Sequence, residues 1–174
     1  MARLLDMQYA NASLYDGGTA LYEAIMMAVL HTKRTRIVIS ESVNPIYRVM
    51  LDSYTTNLKL DLVTIPHKNC DTDVDALTAA LDDQTAAVIV QNPNFFGTIQ
   101  DFSALFSTAR EHKIVSIMSV YPVLQTVLKT PGQMGADIAV AEGQSLGLPL
   151  SFGGPYLGIM TCSKQLIRQM PGRI

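Results

Sequence analysis

The segment 86–90, Ala-Ala-Val-Ile-Val, is the sequence feature that most limits the possible folds. It carries no polar side chain and is rich in β-branched residues, which is typical of a strand buried on both faces of a parallel sheet. Similar compact segments occur at 36–40, 60–65, 114–120 and 138–140, and helical patterns separate them. Strands that alternate with helices predict an α/β domain with a mostly parallel sheet flanked by helices and joined by right-handed connections.

Amphipathic helices are predicted between and after these strands. The two longest cover 20–34 and 44–55, and shorter helices are expected at 73–81, at 102–112 and over 163–169. The side chains that we expect to point inward are Leu21, Ile25, Ala28 and Val29 in the first helix, and Ile46, Val49, Met50 and Tyr54 in the second.

The composition indicates one unusually apolar domain. Of its 174 residues, 48% are hydrophobic and only 16% are charged, so we expect a partner or further chain to cover part of the surface. The net charge of −2, without a cluster of Lys or Arg, argues against nucleic acid as a ligand. No apolar run has membrane-spanning length and the N-terminus does not resemble a signal peptide, so the expected compartment is the cytoplasm.

Motifs that would hold a metal or a nucleotide are missing from the sequence. Cys70 and Cys162 have no CxxC spacing, so we expect free thiols and no metal site. Neither GxGxxG nor GxxxxGK[ST] occurs, which disfavours a dinucleotide or a nucleoside triphosphate.

A turn with two glycines, Asp16-Gly17-Gly18-Thr19, precedes the first predicted helix. Asp16 or Thr19 is expected to cap that helix, because either side chain accepts hydrogen bonds from the free amides of the first turn. Amides at the start of a helix also bind anions, and glycines let a phosphate approach closely. The turn is therefore either a plain helix cap, which is the commoner case, or a phosphate cradle.

Two loops follow predicted strands at the edge where α/β proteins bind ligands. The turn 142–145 is either a ligand-binding turn or part of a tight connection to the last strand, predicted at 156–161 with the glycine pair 153–154 at its opening. Asn92, in the loop after the segment 86–90, either serves a site or begins a turn together with the following proline.

Much of the chain resembles the glycine decarboxylase P-proteins of the glycine cleavage system. The segments that carry the resemblance are NASLYDGGTA at 11–20, QNPNFFGTIQD at 91–101 and ADIAVAEGQSLGLPLSFGGPYLG at 136–158. The similarity extends from Asn11 to Arg173, within the ending RQMPGRI. It implies the large domain of a fold-type I, pyridoxal-phosphate-dependent transferase. It also implies that 1–174 is a single, partial large domain, without the family's N-terminal region and C-terminal small domain.

The resemblance breaks down at the residues that hold the cofactor. Catalytic members of the family have the pattern His-Lys-Thr where this chain has Gly143-Gln144-Ser145, and a glutamine amide cannot form an imine with an aldehyde. Tyr121 falls at or near the aspartate that pairs with the pyridine nitrogen in active fold-type I enzymes. The resemblance thus implies no catalytic residue here and only a vestigial pocket, formed by Asp16, Gly17, Gly18, Thr19, Asn92, Tyr121, Gln144 and Ser145.

By resemblance, the chain is expected to be an accessory subunit of glycine dehydrogenase (decarboxylating), inactive alone. That enzyme decarboxylates glycine and transfers the remaining aminomethyl group to the lipoyl H-protein. Pyridoxal phosphate is expected in the catalytic subunit 2 and not in this chain, within a cytoplasmic heterotetramer.

Two alternatives remain open from the sequence. One is a free-standing α/β module that binds a phosphate-bearing ligand at 16–19 without catalysis. The other is an enzyme with an unconventional lysine, for which Lys129 is the best placed because it precedes the strand leading to the turn 142–145.

Overall fold

The computed structural model describes residues 1–172, which form a sheet with helices on both faces. Residues 173 and 174, where the predicted similarity ends, lie outside the described residues. The strands are β1 (Tyr9–Ala10), β2 (Arg36–Ser40), β3 (Asp61–Ile65), β4 (Thr85–Asn92), β5 (Val115–Val120), β6 (Ile138–Glu142) and β7 (Gly158–Cys162). The α-helices are α1 (Gly17–Thr32), α2 (Pro45–Thr55), α3 (Val74–Ala79), α4 (Ser103–Glu111) and α5 (Pro131–Met134). Short 3-10 helices occupy Pro122–Thr126, Gln144–Leu146 and Lys164–Gln169.

The strand order across the sheet is β1-β7-β6-β5-β4-β2-β3. Strand β2 pairs in parallel with β3 and β4, and β4, β5 and β6 continue the parallel sheet. Strand β7 runs antiparallel to both β6 and β1. Helical segments join the parallel strands, because such connections must cross over a face of the sheet, whereas β6 and β7 need only a loop. The predicted α/β fold with a mostly parallel sheet is confirmed.

Side chains of the central strands alternate between two hydrophobic clusters. In β4, Ala87 and Ile89 belong to the cluster under α1 and α2, and Val88 and Val90 to the cluster under α3 and α4. All four side chains are fully buried. Burial on both faces therefore explains why the segment 86–90 has no polar residue.

Helix α1 lies across the middle of the sheet and buries the face that its sequence predicts. Leu21, Ile25 and Ala28 are fully buried, and Val29 is partly buried at the edge of the same cluster. The helix begins at Gly17, three residues before the predicted start, because Asp16 caps it. Its first turn therefore contains both glycines of the turn 16–19.

The predicted inward face of α2 is wrong for three of its four residues, and only Met50 is partly buried, next to Gly18 of α1. Ile46 and Val49 are each 65% exposed and Tyr54 is 49% exposed, whereas Leu51 and Thr55 are the buried residues of this helix. Apolar side chains occur on several sides of α2, and only the side that faces α1 and the sheet is covered. The hydrophobic period of the sequence does not reveal which side that is.

Other boundaries near the chain ends also differ from the sequence predictions. The pair Gly153 and Gly154 does not open the last strand, because β7 begins only at Gly158 and a loop precedes it. The predicted final helix is a 3-10 helix over Lys164–Gln169. Strand β1 was not predicted, because two residues are too few to show a period.

The cysteines are free, as the sequence predicts, with Cys70 exposed and Cys162 buried in β7. Burial raises the pKa of the Cys162 thiol to about 11. Within residues 1–172, no helix is both long enough and apolar enough for a membrane crossing. The same residues contain no cluster of three His, Cys, Asp or Glu side chains arranged to hold a metal ion.

We expect Phe106→Ala to lower the free energy of unfolding by about 3–5 kcal/mol. Phe106 is 1% exposed and packs beside Phe102 in the cluster under α3 and α4. Phe95→Ala removes the same ring from an exposed loop and should change the free energy of unfolding by about 0.5 kcal/mol or less. Urea unfolding followed by circular dichroism measures both, and equal losses would contradict this packing.

Candidate functional site

The predicted site residues meet at the carboxyl edge of the parallel strands. Asn92, the last residue of β4, is the register partner of Val120 in β5, which in turn pairs with Ala141 in β6. Tyr121 follows directly after β5, and the turn 142–145 begins at Glu142, the last residue of β6. Three neighbouring strands thus bring residues that are distant in sequence to one end of the sheet.

The turn 16–19 reaches the same edge and closes on itself as a helix cap. The carboxylate of Asp16 accepts a hydrogen bond from the Thr19 amide at 2.7 Å, and the Thr19 hydroxyl accepts one from the Asp16 amide at 3.0 Å. This reciprocal pair satisfies two of the backbone donors at the start of α1. The expectation that Asp16 or Thr19 caps the helix is confirmed, since both residues take part.

Glu142 is the residue at this edge whose role the sequence interpretation missed. Its Oε2 accepts a hydrogen bond from the Gly17 amide of α1 at 3.0 Å. Its Oε1 accepts hydrogen bonds from the Gln144 amide at 3.0 Å and from the Leu157 amide at 2.9 Å. One carboxylate therefore ties together the start of α1, the turn after β6 and the segment before β7. The only sequence signal for this role is a carboxylate at the very end of an apolar strand.

Tyr47 of α2 packs over the start of α1 and leaves little space there. A Cβ atom added to Gly17 would collide with the Tyr47 hydroxyl, and one added to Gly18 would lie 2.7 Å from the Met50 sulfur. Close approach therefore requires a glycine at position 17, whereas a side chain at position 18 would need only a shift of the flexible Met50 side chain. Burial is the main reason that the pKa of Tyr47 is raised to about 12, and the negative charges of Glu142 and Asp16 add to this effect.

Asn92 is buried and holds the loop that follows β4. Its Nδ2 donates to the Gln100 carbonyl at 3.1 Å, and its Oδ1 accepts from the Gln100 amide at 3.2 Å. Gln100 in turn bonds the backbone of Thr72 through both ends of its side-chain amide. Through these contacts, Asn92 stabilises the conformation of the loop.

The residues at this edge do not fit a covalently held pyridoxal phosphate. Gln144 offers no amine, and Tyr121, at the end of β5, is half exposed and offers no carboxylate. Ser145 is exposed, and the Gly17 amide at the start of α1 is already bound to Glu142. Attachment of the aldehyde therefore lacks an amine at this position, and the Gly17 amide is not available to a phosphate.

Lys129, the best-placed alternative lysine, is held in an ion pair. Its Nζ lies 2.8 Å from Asp101 Oδ2 and 2.8 Å from Ser103 Oγ. The hydrogen bond from Lys129, with further hydrogen bonds from Ser103, lowers the pKa of Asp101 to about 2. Because the Lys129 Nζ is bound to a carboxylate and a hydroxyl, this geometry does not favour an enzyme that uses Lys129 as its nucleophile.

The loops at the carboxyl edge expose many large apolar side chains, which together we call the carboxyl-edge surface. Its members are Tyr15, Phe95, Phe96, Ile99, Tyr121, Val123, Val127, Leu146, Leu148, Leu150, Phe152 and Tyr156. A cavity of about 330 Å³, lined by Ser13, Leu14 and Tyr15, opens beside it. Exposed apolar side chains concentrated at one edge of a sheet are candidates for an interaction site in a soluble protein. The expectation of apolar surface that needs covering agrees with this edge.

A second set of grooves lies at the opposite, amino edge of the sheet. One of them, of about 460 Å³, is lined by Arg110, Asp137 and Lys164. Arg110 lies in the last turn of α4 and Asp137 just before β6. These grooves therefore lie away from the predicted site.

The whole chain, residues 1–174, matches the sequence profile of the family described as Glycine cleavage system P-protein. The chain belongs to this family. A relative from Maridesulfovibrio salexigens, named "Probable glycine dehydrogenase (decarboxylating) subunit 1", is 71% identical over the full 174 residues. A relative of the same name from Nitratidesulfovibrio vulgaris is 67% identical over the same length. The chain spans 39% of the length of each of these relatives.

Solved structures confirm the fold-type I architecture. The inhibitor-bound glycine decarboxylase (P-protein) of the glycine cleavage system superposes with a TM-score of 0.93 and 39% identity, over 99% of this chain and 39% of that one. Cystathionine gamma-lyase from Lactobacillus plantarum superposes with a TM-score of 0.77 and 17% identity, over 97% of this chain and 42% of the lyase, and this similarity concerns the fold alone.

We expect the stability of the protein to fall between pH 10 and pH 12 through Tyr47. The unfolded phenol loses its proton near pH 10, whereas the folded one holds it until about pH 12. The unfolded state therefore binds fewer protons in this window, and stability decreases by roughly 1 kcal/mol per pH unit. Tyr47→Phe should remove this part of the pH dependence, as measured by urea unfolding from pH 9 to 11.5. Parallel curves for both proteins would contradict it.

Proposed function

We propose that this chain is the accessory, non-lysine-bearing subunit of glycine dehydrogenase (decarboxylating), which completes an active site held by the catalytic subunit 2. The observation that carries the proposal is the carboxyl edge, where Gln144 stands at the position of the family's lysine and the surrounding loops expose a wide apolar surface. An edge without cofactor-binding groups but with apolar surface is suited to contact with another subunit. The names of the relatives, each a "subunit 1", support the same assignment.

The proposed role of this chain in the reaction is to bind the catalytic subunit and to cover and orient the active site that the subunit holds. Pyridoxal phosphate, held by the catalytic subunit, supplies an electron sink for the decarboxylation of glycine. Apolar side chains such as Leu150 and Phe152 would exclude water where the two subunits meet. The aminomethyl group passes to the lipoyl H-protein, which is the third protein in the proposal. We place the assembly in the cytoplasm as a heterotetramer, with this chain as part of a large domain.

The free-standing phosphate-binding module is less well supported. It needs free amides at the start of α1, but the amides of Gly17 and Thr19 are bound to Glu142 and Asp16. The apolar loops at the same edge would also remain exposed in such a module.

Association with the catalytic subunit is the first test. Co-expressed with that subunit, the protein should co-purify with it, and the pair with lipoyl H-protein should exchange carbon dioxide into the carboxylate of glycine. Leu150→Asp should weaken association at least tenfold, because it places a charge in the apolar contact. Leu58→Asp, the same change at an exposed site before β3 and so at the amino edge, is the control and should leave the affinity within about twofold.

Two outcomes would contradict the subunit assignment. One is full exchange activity from the catalytic subunit without this chain. The other is an equal loss of affinity for Leu150→Asp and Leu58→Asp.

The location of the cofactor is tested by chemical trapping. After incubation of the two-subunit complex with pyridoxal phosphate and reduction with borohydride, mass mapping should find one labelled lysine, in the catalytic subunit. This chain should carry only scattered surface labelling, because Gln144 has no amine and Lys129 is paired with Asp101. A single labelled lysine in this chain that glycine protects would show that it performs its own chemistry.

A further inference from the structure

We propose that Glu142 is a built-in anion, which fills the amide cradle at the start of α1 and keeps phosphate groups out of this chain. This inference extends the proposed function. It rests on that function for one point only, that the cofactor is bound by the partner subunit. It concerns the turn 16–19, the predicted phosphate cradle. A side chain of the protein itself occupies the position that a ligand would need.

Backbone amides from three separate segments converge on this carboxylate. Gly17 donates to Oε2, and Gln144 and Leu157 donate to Oε1, at distances of 2.9 to 3.0 Å. Free amides and the positive end of the helix dipole favour a negative charge at the start of a helix. The Glu142 carboxylate already accepts hydrogen bonds from these donors and places a negative charge at the start of the helix. The chain itself therefore supplies the anion that this position favours.

The space and the charge around Glu142 also oppose a second anion. Tyr47 packs against Gly17 so closely that even a methyl group added there would collide with its hydroxyl. The Asp16 carboxylate lies in the same first turn and binds the Thr19 amide. A phosphate dianion entering this turn would therefore meet two negative side chains and a tyrosine ring, with its principal amide donors already bound.

The same hydrogen bonds fix both ends of the loop between β6 and β7. Gln144 lies at the start of this loop and Leu157 at its end, and their amides bind the same Glu142 oxygen. Leu146, Leu148 and Leu150, part of the carboxyl-edge surface, lie between these two points. Glu142 is thus a positioning residue for the loop and an occupant of the cradle.

Phosphate binding by the isolated protein tests the proposal directly. Inorganic phosphate is added at constant ionic strength, with sodium chloride as reference, and the melting temperature is followed for the wild type, Glu142→Ala and the control Glu111→Ala, an exposed carboxylate of α4. Phosphate should shift the wild type and Glu111→Ala by the same small amount. Glu142→Ala should gain a further rise of about 2–4 °C, since its vacated amides can bind the anion.

Amide NMR signals make the test independent of whether Glu142→Ala folds. In the wild type, the Gly17, Gln144 and Leu157 amide signals should not move with phosphate. In Glu142→Gln, which keeps the shape but loses the charge, the Gly17 amide proton should shift upfield, and Glu111→Gln should leave it unchanged.

Phosphate-dependent movement of the wild-type Gly17 signal, an unchanged Gly17 signal in Glu142→Gln, or a folded Glu142→Ala that gains no phosphate stabilisation would each overturn the proposal. None of these outcomes involves the catalytic subunit, so they leave the subunit assignment to its own test.

Discussion

Burial of the parallel sheet on both faces is the constraint on which the rest of the structure depends. Because the segment 86–90 in β4 has no polar side chain, helices must cover each face, and polar side chains are displaced toward the ends of the strands. The carboxyl edge is then the place where a chain of this fold can change its chemistry without disturbing its core. In this chain, a carboxylate at the end of β6 and exposed apolar loops occupy that edge.

Local patterns predicted the parts of the fold that local interactions determine. The buried strand at 86–90 and the cap at Asp16 follow from a few neighbouring residues, and both were predicted. The prediction of the buried face of α2 was largely wrong because Ile46 and Leu51 are both apolar. Only the position of α1 decides which of them is buried. Strand β1 was missed because its two residues exist as a strand only through their pairing with β7.

At the candidate site, too, the features that depend on local sequence were predicted and those that depend on long-range contacts were not. Parallel topology requires loops that follow neighbouring strands to meet, so the sequence places Asn92 and the turn 142–145 at one edge, where the structure also has them. The contact between Glu142 and Gly17 joins segments that lie far apart in sequence, and no local pattern records such a pair. Glu142 belongs to the predicted turn 142–145, but its three amide donors come together only when β6, β7 and α1 lie side by side.

Pairing between β1 and β7 also imposes an order on folding. Tyr9 is the register partner of Cys162, so β1 can gain its hydrogen bonds only after nearly all of the described chain has been synthesised. Strands β2, β3 and β4 find partners much nearer in sequence and close shorter loops at a lower cost in entropy. The two residues of β1 therefore leave the ribosome before β7, the strand with which they pair. Because a two-residue strand at the edge of the sheet has few hydrogen bonds, we expect β1 to open locally at a lower free-energy cost than the central strands.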